Sequence, residues 1–263
     1  MTCALDKELP QKAEAIVREA GSIILGRLEQ PKDIYHKGRI DLVTNTDLEV
    51  EKQLQSQLSI ILPQASFLSE ESMPTNKLND LTWVIDPLDG TTNFAHGLFP
   101  VAISVALWQK DQIVLGLVYI PKTHEMFTAV KDAGAFLNGR RIKVSPETSL
   151  ENSLIATGFP YDIDKRIEEI IQPLQGVLPS VRGIRRMGAA AIDLAYTACG
   201  RFEGFYELGL KPWDTAAGWL LVLEAGGAVT ELNLQNNFNL YSPSIMATNS
   251  LIHYSLGQIL TKK

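Results

Sequence analysis

Ala13, Ile16, Val17, Ala20, Ile23, Ile24 and Leu28 recur at helical spacing and predict an amphipathic helix over about residues 4–28. Pro10 suits its first turn, and Pro31 lies beyond its end. Residues 34–46 read as two short strand-like pieces around Lys37-Gly38-Arg39, a hairpin or a mobile loop. Asn45 or Thr46 is placed to cap a second helix, with Asp47 and Glu49 in its first turn. That helix runs through Val50, Leu54, Leu58 and Ile61 until Pro63 stops it. Residues 65–68 form a short strand that ends in Ser69-Glu70-Glu71-Ser72. Residues 81–85 form a buried strand that ends abruptly in Asp86-Pro87-Leu88-Asp89-Gly90-Thr91. The two aspartates are expected in a tight turn at the strand's carboxyl end, and Thr91-Thr92-Asn93 in a helix start.

The next stretches, 101–107, 113–120, 125–130 and 135–144, read as an antiparallel meander, with turns at Gln109-Lys110-Asp111-Gln112 and Asn138-Gly139. No chemistry is visible in it. Residues 146–152 are a polar connector. They divide the chain into an α+β lobe (1–145) and an α/β lobe (146–263) within one compact unit. The second lobe alternates: strands at 153–157, 181–187, 204–208, 228–232 and 245–248, helices at 163–177, 189–198, 214–224 and 251–260. The helix at 189–198 opens with almost no side chains, and Asp214 is a good N-cap for the next helix.

Composition narrows the function classes. The chain has 263 residues, 45% hydrophobic and 21% charged, in the range of a folded globular protein. A net charge of -6 gives no support to a nucleic-acid partner. The two cysteines, Cys3 and Cys199, form no metal or redox motif, and Cys199 reads as a small core residue. No apolar run is long enough to span a bilayer and no secretory signal is visible, so a cytoplasmic setting is expected.

Asp86 and Asp89 beside a glycine and a helix start suit a divalent cation bridging protein and phosphate. Asp-Pro-x-Asp-Gly is also an ordinary turn. If the strands before Glu70 and Asp86 are neighbours, the three acids converge. Asp47 by itself reads first as a helix-start acid. Arg185 and Arg186 read as an exposed basic pair or as neighbours of a second phosphate.

Four motifs stand in one order along the chain. They are Asp41-Leu42-Val43-Thr44-x-Thr46-Asp47, Glu70-Glu71, Trp83-x-Ile85-Asp86-Pro87-Leu88-Asp89-Gly90-Thr91-x-x-Phe94-x-His96, and Trp213-Asp214-x-Ala216-Ala217-Gly218 followed by Glu224-Ala225-Gly226-Gly227. Together they resemble the inositol monophosphatase family of the fructose-bisphosphatase-like superfamily. Ser69 departs from the family's usual glycine before the glutamate pair.

The resemblance implies a five-layer α-β-α-β-α sandwich, of layered α/β class. It also implies Mg²⁺-dependent hydrolysis of a small phosphorylated polyol or sugar by metal-activated water, without a covalent intermediate. Two to three Mg²⁺ ions would be held by Glu70, Asp86, the Leu88 carbonyl, Asp89 and Asp214, most of them in the first lobe. Thr91 and Asp47 would orient the attacking water, with Glu70 also catalytic. Asp89, Gly90, Thr91, Gly188, Ala190 and Glu207 would contact substrate, and Lys37 and Lys211 stand as further candidates. Inositol monophosphate is the first candidate substrate. Histidinol phosphate, galactose 1-phosphate, fructose 1,6-bisphosphate, NADP and a 3′-phosphoadenosine nucleotide are alternatives. Lithium sensitivity and a homodimer are implied too. A rival of another class is a non-catalytic, metal-binding regulatory protein on the same scaffold.

Overall fold

A computed structural model describes residues 7–28, 30, 34–36, 42–72 and 78–262. Expectations about residues 4–6, Cys3, Pro31, Lys37, Gly38, Arg39 and Asp41 fall outside the described residues. In chain order the elements are α1 (Leu9–Arg27), β1 (Ile34–His36), β2 (Leu42–Thr44), α2 (Asn45–Ile61), β3 (Ser66–Ser69), β4 (Leu81–Asp89) and α3 (Thr91–Ala95). Then come β5 (Ala102–Gln109), β6 (Gln112–Ile120), β7 (Glu125–Val130), β8 (Gly134–Leu137) and β9 (Arg140–Arg141). The remainder is β10 (Leu154–Thr157), α4 (Ile163–Val177), β11 (Gly183–Arg185), α5 (Ala190–Ala198), β12 (Gly204–Leu208), α6 (Pro212–Glu224), β13 (Ala228–Thr230), β14 (Ser244–Thr248) and α7 (His253–Leu260).

Strands β3 to β9 form a seven-stranded sheet in sequence order; only β3 and β4 are parallel. Strands β11-β10-β12-β14-β13 form a second, mixed sheet, and β1 and β2 pair as a separate ribbon. Alternation along the strands explains the layering. Trp83, Ile85, Ile103, Val105, Leu115 and Leu117 join the α1–α2 core, whereas Val84, Ala102, Ala106 and Val118 face α5 and α6. Phe205, Ile245 and Ala247 of the second sheet meet the same two helices from the other side. Tyr206, Met246 and Ile155 turn instead toward Val177, Leu256 and Leu260 of α4 and α7. The result is α1–α2, sheet, α5–α6, sheet, α4–α7, the expected five layers.

The middle layer is thin because its residues are small. Gly116 lies directly under α6, where an added Cβ would stand 2.8 Å from the Ala217 carbonyl oxygen and 3.1 Å from its Cα. Gly218 lets α6 pass α5, since a Cβ there would come within 2.5 Å of Leu194.

Two local expectations are corrected. Helix α2 is capped by Thr44, not by Asn45 or Thr46: its hydroxyl accepts from the Thr46 N–H while the Asp47 carboxylate accepts from the Thr44 N–H. Helix α6 begins at Pro212, so Asp214 is its third residue rather than its N-cap. The reason is that proline suits a first turn, where its missing N–H costs nothing.

Gly116→Ala should cost about 1–3 kcal/mol, because the colliding atoms are backbone and cannot rotate away. Gly26→Ala in α1, where a Cβ meets nothing within 4 Å, should leave stability equal or slightly raised. Urea unfolding of both variants checks the pair; a neutral Gly116→Ala would contradict the close seating of α6.

Candidate active site

The site forms where β3 and β4 end side by side. Strand β4 continues through Asp86 and Asp89 instead of stopping before them, which corrects the expected turn. Asp86 pairs with Ser104 and Asp89 with Ala102, and the register shifts between the two pairs. In a regular strand, residues three apart face opposite sides of the sheet. Their partners here are two apart, so the bulge at Pro87-Leu88 puts both aspartates on the α5–α6 face. The Leu88 side chain packs into the opposite core.

Each aspartate is tied down by backbone. Asp86 Oδ1 accepts from the Leu88 N–H at 3.0 Å. Asp89 Oδ2 accepts from the Ala191 N–H at 2.7 Å, at the start of α5. Asp214 Oδ2 accepts from the Lys211 N–H at 2.7 Å. Ser104 in the meander donates to the Trp213 carbonyl at 3.2 Å and so holds the start of α6 against the sheet.

Glu70 follows β3 and donates its N–H to the Ile85 carbonyl, one residue before Asp86. The turn it occupies is braced from α2: Gln55 Nε2 donates to Ser69 Oγ at 3.0 Å, and Glu51 Oε2 accepts from the Glu71 N–H at 2.9 Å. Ser69 is therefore accommodated by a hydrogen bond.

Thr91 Oγ1 stands 2.9 Å from Asp47 Oδ1 and 3.0 Å from the Leu88 carbonyl oxygen. One hydroxyl proton serves both acceptors in turn. Asp47 is fully buried behind Thr91, and its second oxygen receives the N–H and hydroxyl of Thr44. Burial raises its pKa against these hydrogen bonds.

Glu70, Asp86, Asp89, Gly90, Thr91, Gly188, Ala190, Glu207 and Asp214 line one pocket of about 260 Å³, with the Leu88 backbone among them and Lys211 on its exposed rim. Lys37 lies outside the described residues. Gly90 (φ +92°) and Gly188 (φ +81°) adopt left-handed conformations that favour glycine. A Cβ at Gly90 would also stand 3.0 Å from the Pro100 carbonyl oxygen, and one at Gly188 within 2.5 Å of Arg186.

Sequence reasoning missed Asp193, which lines the same pocket and is 1% exposed. Its signal was a lone acid in the otherwise uncharged run of α5. It missed Gly158 as well, whose absent side chain makes room for the Glu207 carboxylate. Arg185 is exposed; Arg186 is exposed too but lines the pocket, beside the Phe159 ring.

Burial raises the pKa of Asp86 well above the usual range, and repulsion from Glu70, Asp89 and Asp214 adds to it. Burial lifts Asp89 to about 7, against backbone hydrogen bonds from α5, and Glu207 to about 8, helped by repulsion from Asp214 and Asp89. Among the described residues no three His, Cys, Asp or Glu side chains stand ready-set as a metal cluster. The chemistry of the set nevertheless fits hard divalent cations: its donors are oxygens, and they repel one another.

A model of the inositol monophosphatase family matches residues 6–262. An inositol monophosphatase of Dictyostelium discoideum is 40% identical over 265 residues, 98% of this chain and 97% of that one. The Nus factor SuhB of Escherichia coli K12 is 40% identical over 226 residues, 85% of each chain. The solved extragenic suppressor protein SuhB of Bartonella henselae superposes with a TM-score of 0.90 at 39% identity, over 94% of this chain and 96% of that one. A staphylococcal inositol monophosphatase, solved as a lithium-soaked inhibitory complex, superposes with a TM-score of 0.83 at 26% identity, over 98% and 97% of the two chains.

The raised carboxyls set a pH dependence. Asp89 and Glu207 hold their protons in the folded chain at pH values where the unfolded chain, near 3.8 and 4.5, has released them. Folding of metal-free protein then becomes costlier as pH rises from about 4 toward about 8. In chelator the melting temperature should fall between pH 5.5 and 8, and Asp89→Asn should flatten that slope. A wild-type melting temperature that stays level across this window would contradict the burial of these acids.

Proposed function

Since the chain belongs to the inositol monophosphatase family, a family of phosphatases, we propose that it hydrolyses a monophosphate of a small polyol, inositol monophosphate first, with Mg²⁺. The observation that carries this reading is the bulge in β4, which turns Asp86 and Asp89 to one side, toward Asp214 and beside Glu70. The membrane enters no part of the reading, and among the described residues no helix is long and apolar enough to cross one.

In this reading Glu70, Asp86, the Leu88 carbonyl, Asp89 and Asp214 hold the ions. Bound Mg²⁺ would screen the phosphate's charge, polarise the ester and make water a better nucleophile. Thr91 directs its hydroxyl proton toward Asp47 and turns its lone pairs to the attacking water. As the water attacks, Thr91 takes a proton from it and passes its own to the Asp47 carboxylate, so the threonine hydroxyl is restored and Asp47 ends protonated. Gly90 and Thr91 present backbone to the phosphate with no side chain on Gly90 to block it. Glu207 faces the leaving group, and Ala190, at the start of α5, lies beside the ring. Lys211 at the rim adds positive charge on the approach. The reading also carries lithium inhibition, a cytoplasmic setting and the family's usual homodimer.

A panel of phosphate monoesters assayed with Mg²⁺ tests this directly. Asp86→Asn should lose at least about 10³-fold in rate, since a charge that stabilises the transition state is removed. Its melting temperature without metal should not fall, because a neutral amide replaces a carboxyl that burial and neighbouring acids make costly to ionise. Glu207→Gln should alter preference across the panel rather than lower every rate equally. A wild type inactive on the whole panel, with Asp86→Asn no different, would favour a non-catalytic regulatory protein.

A further inference from the structure

Asn93 stands on α3, behind the pocket rather than in its lining, and reaches the segment between β11 and α5. Its side-chain nitrogen carries two protons, and both are committed. Nδ2 donates to the Pro100 carbonyl at 2.8 Å and to the Met187 carbonyl at 2.9 Å. Each acceptor adjoins a pocket glycine. A Cβ on Gly90 would stand 3.0 Å from the Pro100 carbonyl oxygen and 3.3 Å from the Gly188 carbonyl oxygen. Met187 immediately precedes Gly188, where a Cβ would meet Asn93 Nδ2 at 3.1 Å. One carboxamide therefore holds both glycine turns.

The two turns are not equally held without it. On the Gly90 side, Asp89 pairs with Ala102 of β5, and the Gly90 carbonyl accepts from the Phe94 N–H at 3.0 Å. The Thr91 hydroxyl is fixed between Asp47 and the Leu88 carbonyl. On the other side, among the described residues, Met187 and Gly188 make no backbone–backbone hydrogen bond. The next ties are those that start α5: the Asp193 N–H on the Ala189 carbonyl, and the Ala191 N–H on Asp89.

We propose that Asn93 is a positioning residue that sets the spacing between the Gly90–Thr91 turn, which faces the phosphate, and the Gly188–Ala190 segment, which faces the leaving group. The proposal rests on the phosphatase reading and names a residue on which that site depends without touching substrate. Misplacement by about 1 Å can cost about a hundredfold in rate. Loss of the carboxamide frees the segment with the fewest ties, while the phosphate side keeps its own. Inorganic phosphate has no leaving group and is insensitive to that loss.

The experiment compares wild type with Asn93→Ala and with Asn93→Leu, which fills similar space but offers no side-chain donor. Each is assayed with Mg²⁺ on whichever of inositol 1-phosphate and p-nitrophenyl phosphate the wild type cleaves, with inorganic phosphate as inhibitor. In both variants kcat/KM should fall at least about tenfold, while the inhibition constant of phosphate and the Mg²⁺ concentration at half-maximal rate stay within about threefold. A like change in all three quantities would mark a purely structural residue and overturn the proposal. An unchanged kcat/KM, or an Asn93→Leu equal to wild type, would overturn it too. Each of these outcomes leaves the phosphatase reading intact. If Asn93→Ala melts below the assay temperature, Asn93→Ser, which keeps one donor, decides on the same criteria. A wild type that cleaves neither ester overturns both readings.

Discussion

Four carboxylates, Glu70, Asp86, Asp89 and Asp214, come to one pocket although each raises the cost of the others. Nothing in their own chemistry draws them together, so the scaffold must hold them there. It does so with backbone. The N–H groups of Leu88, Ala191 and Lys211 each take one oxygen of an aspartate, and the Glu70 turn is fixed by its N–H on Ile85 and by Gln55 and Glu51 from α2. Hydrogen bonds from rigid elements thus offset a repulsion that burial strengthens. The same arrangement explains why the site should be costly without cations and why its acids keep protons unusually far up the pH scale.

The layers serve that constraint. Helices α5 and α6 supply Ala191 and Asp214, and they can approach β4 only because the residues between sheet and helices are small: Ala102, Ala106 and Gly116 on the strands, Ala216, Ala217 and Gly218 on α6. The meander carries no reacting group, yet Ser104 pairs with Asp86 and holds the Trp213 carbonyl. A strand that looks inert in sequence therefore sets the distance between two halves of the site. Behind the reacting face, Asp47 closes the α2 cap and receives Thr91 with the same carboxylate, so a capping residue and a proton acceptor are one group.

Much of this was legible beforehand. Helical spacing marked α1 and α2, and short apolar stretches bounded by turn residues marked most strands, because these signals depend on neighbours in the chain. The motifs around Asp86 and Asp214 pointed to the family, since each packs its chemistry into a few consecutive residues. The family and its five layers followed from them, and both agree with the fold and the relatives.

What the chain alone left open depends on partners far away in sequence. Asn45 or Thr46 was expected to cap α2, but Thr44 does, and the choice is tied to Asp47, which also meets Thr91 44 residues on. The facing of Asp86 and Asp89 hinges on a bulge that only the pairing with β5 reveals. Asp193 looked like one polar residue in a small-residue helix until β12 and β4 brought Glu207 and Asp89 near it. Local sequence determines which elements form, because hydrophobic period and turn chemistry are short-range. Which side chains meet is decided by packing between elements, where a register shift of one residue reverses what faces the pocket.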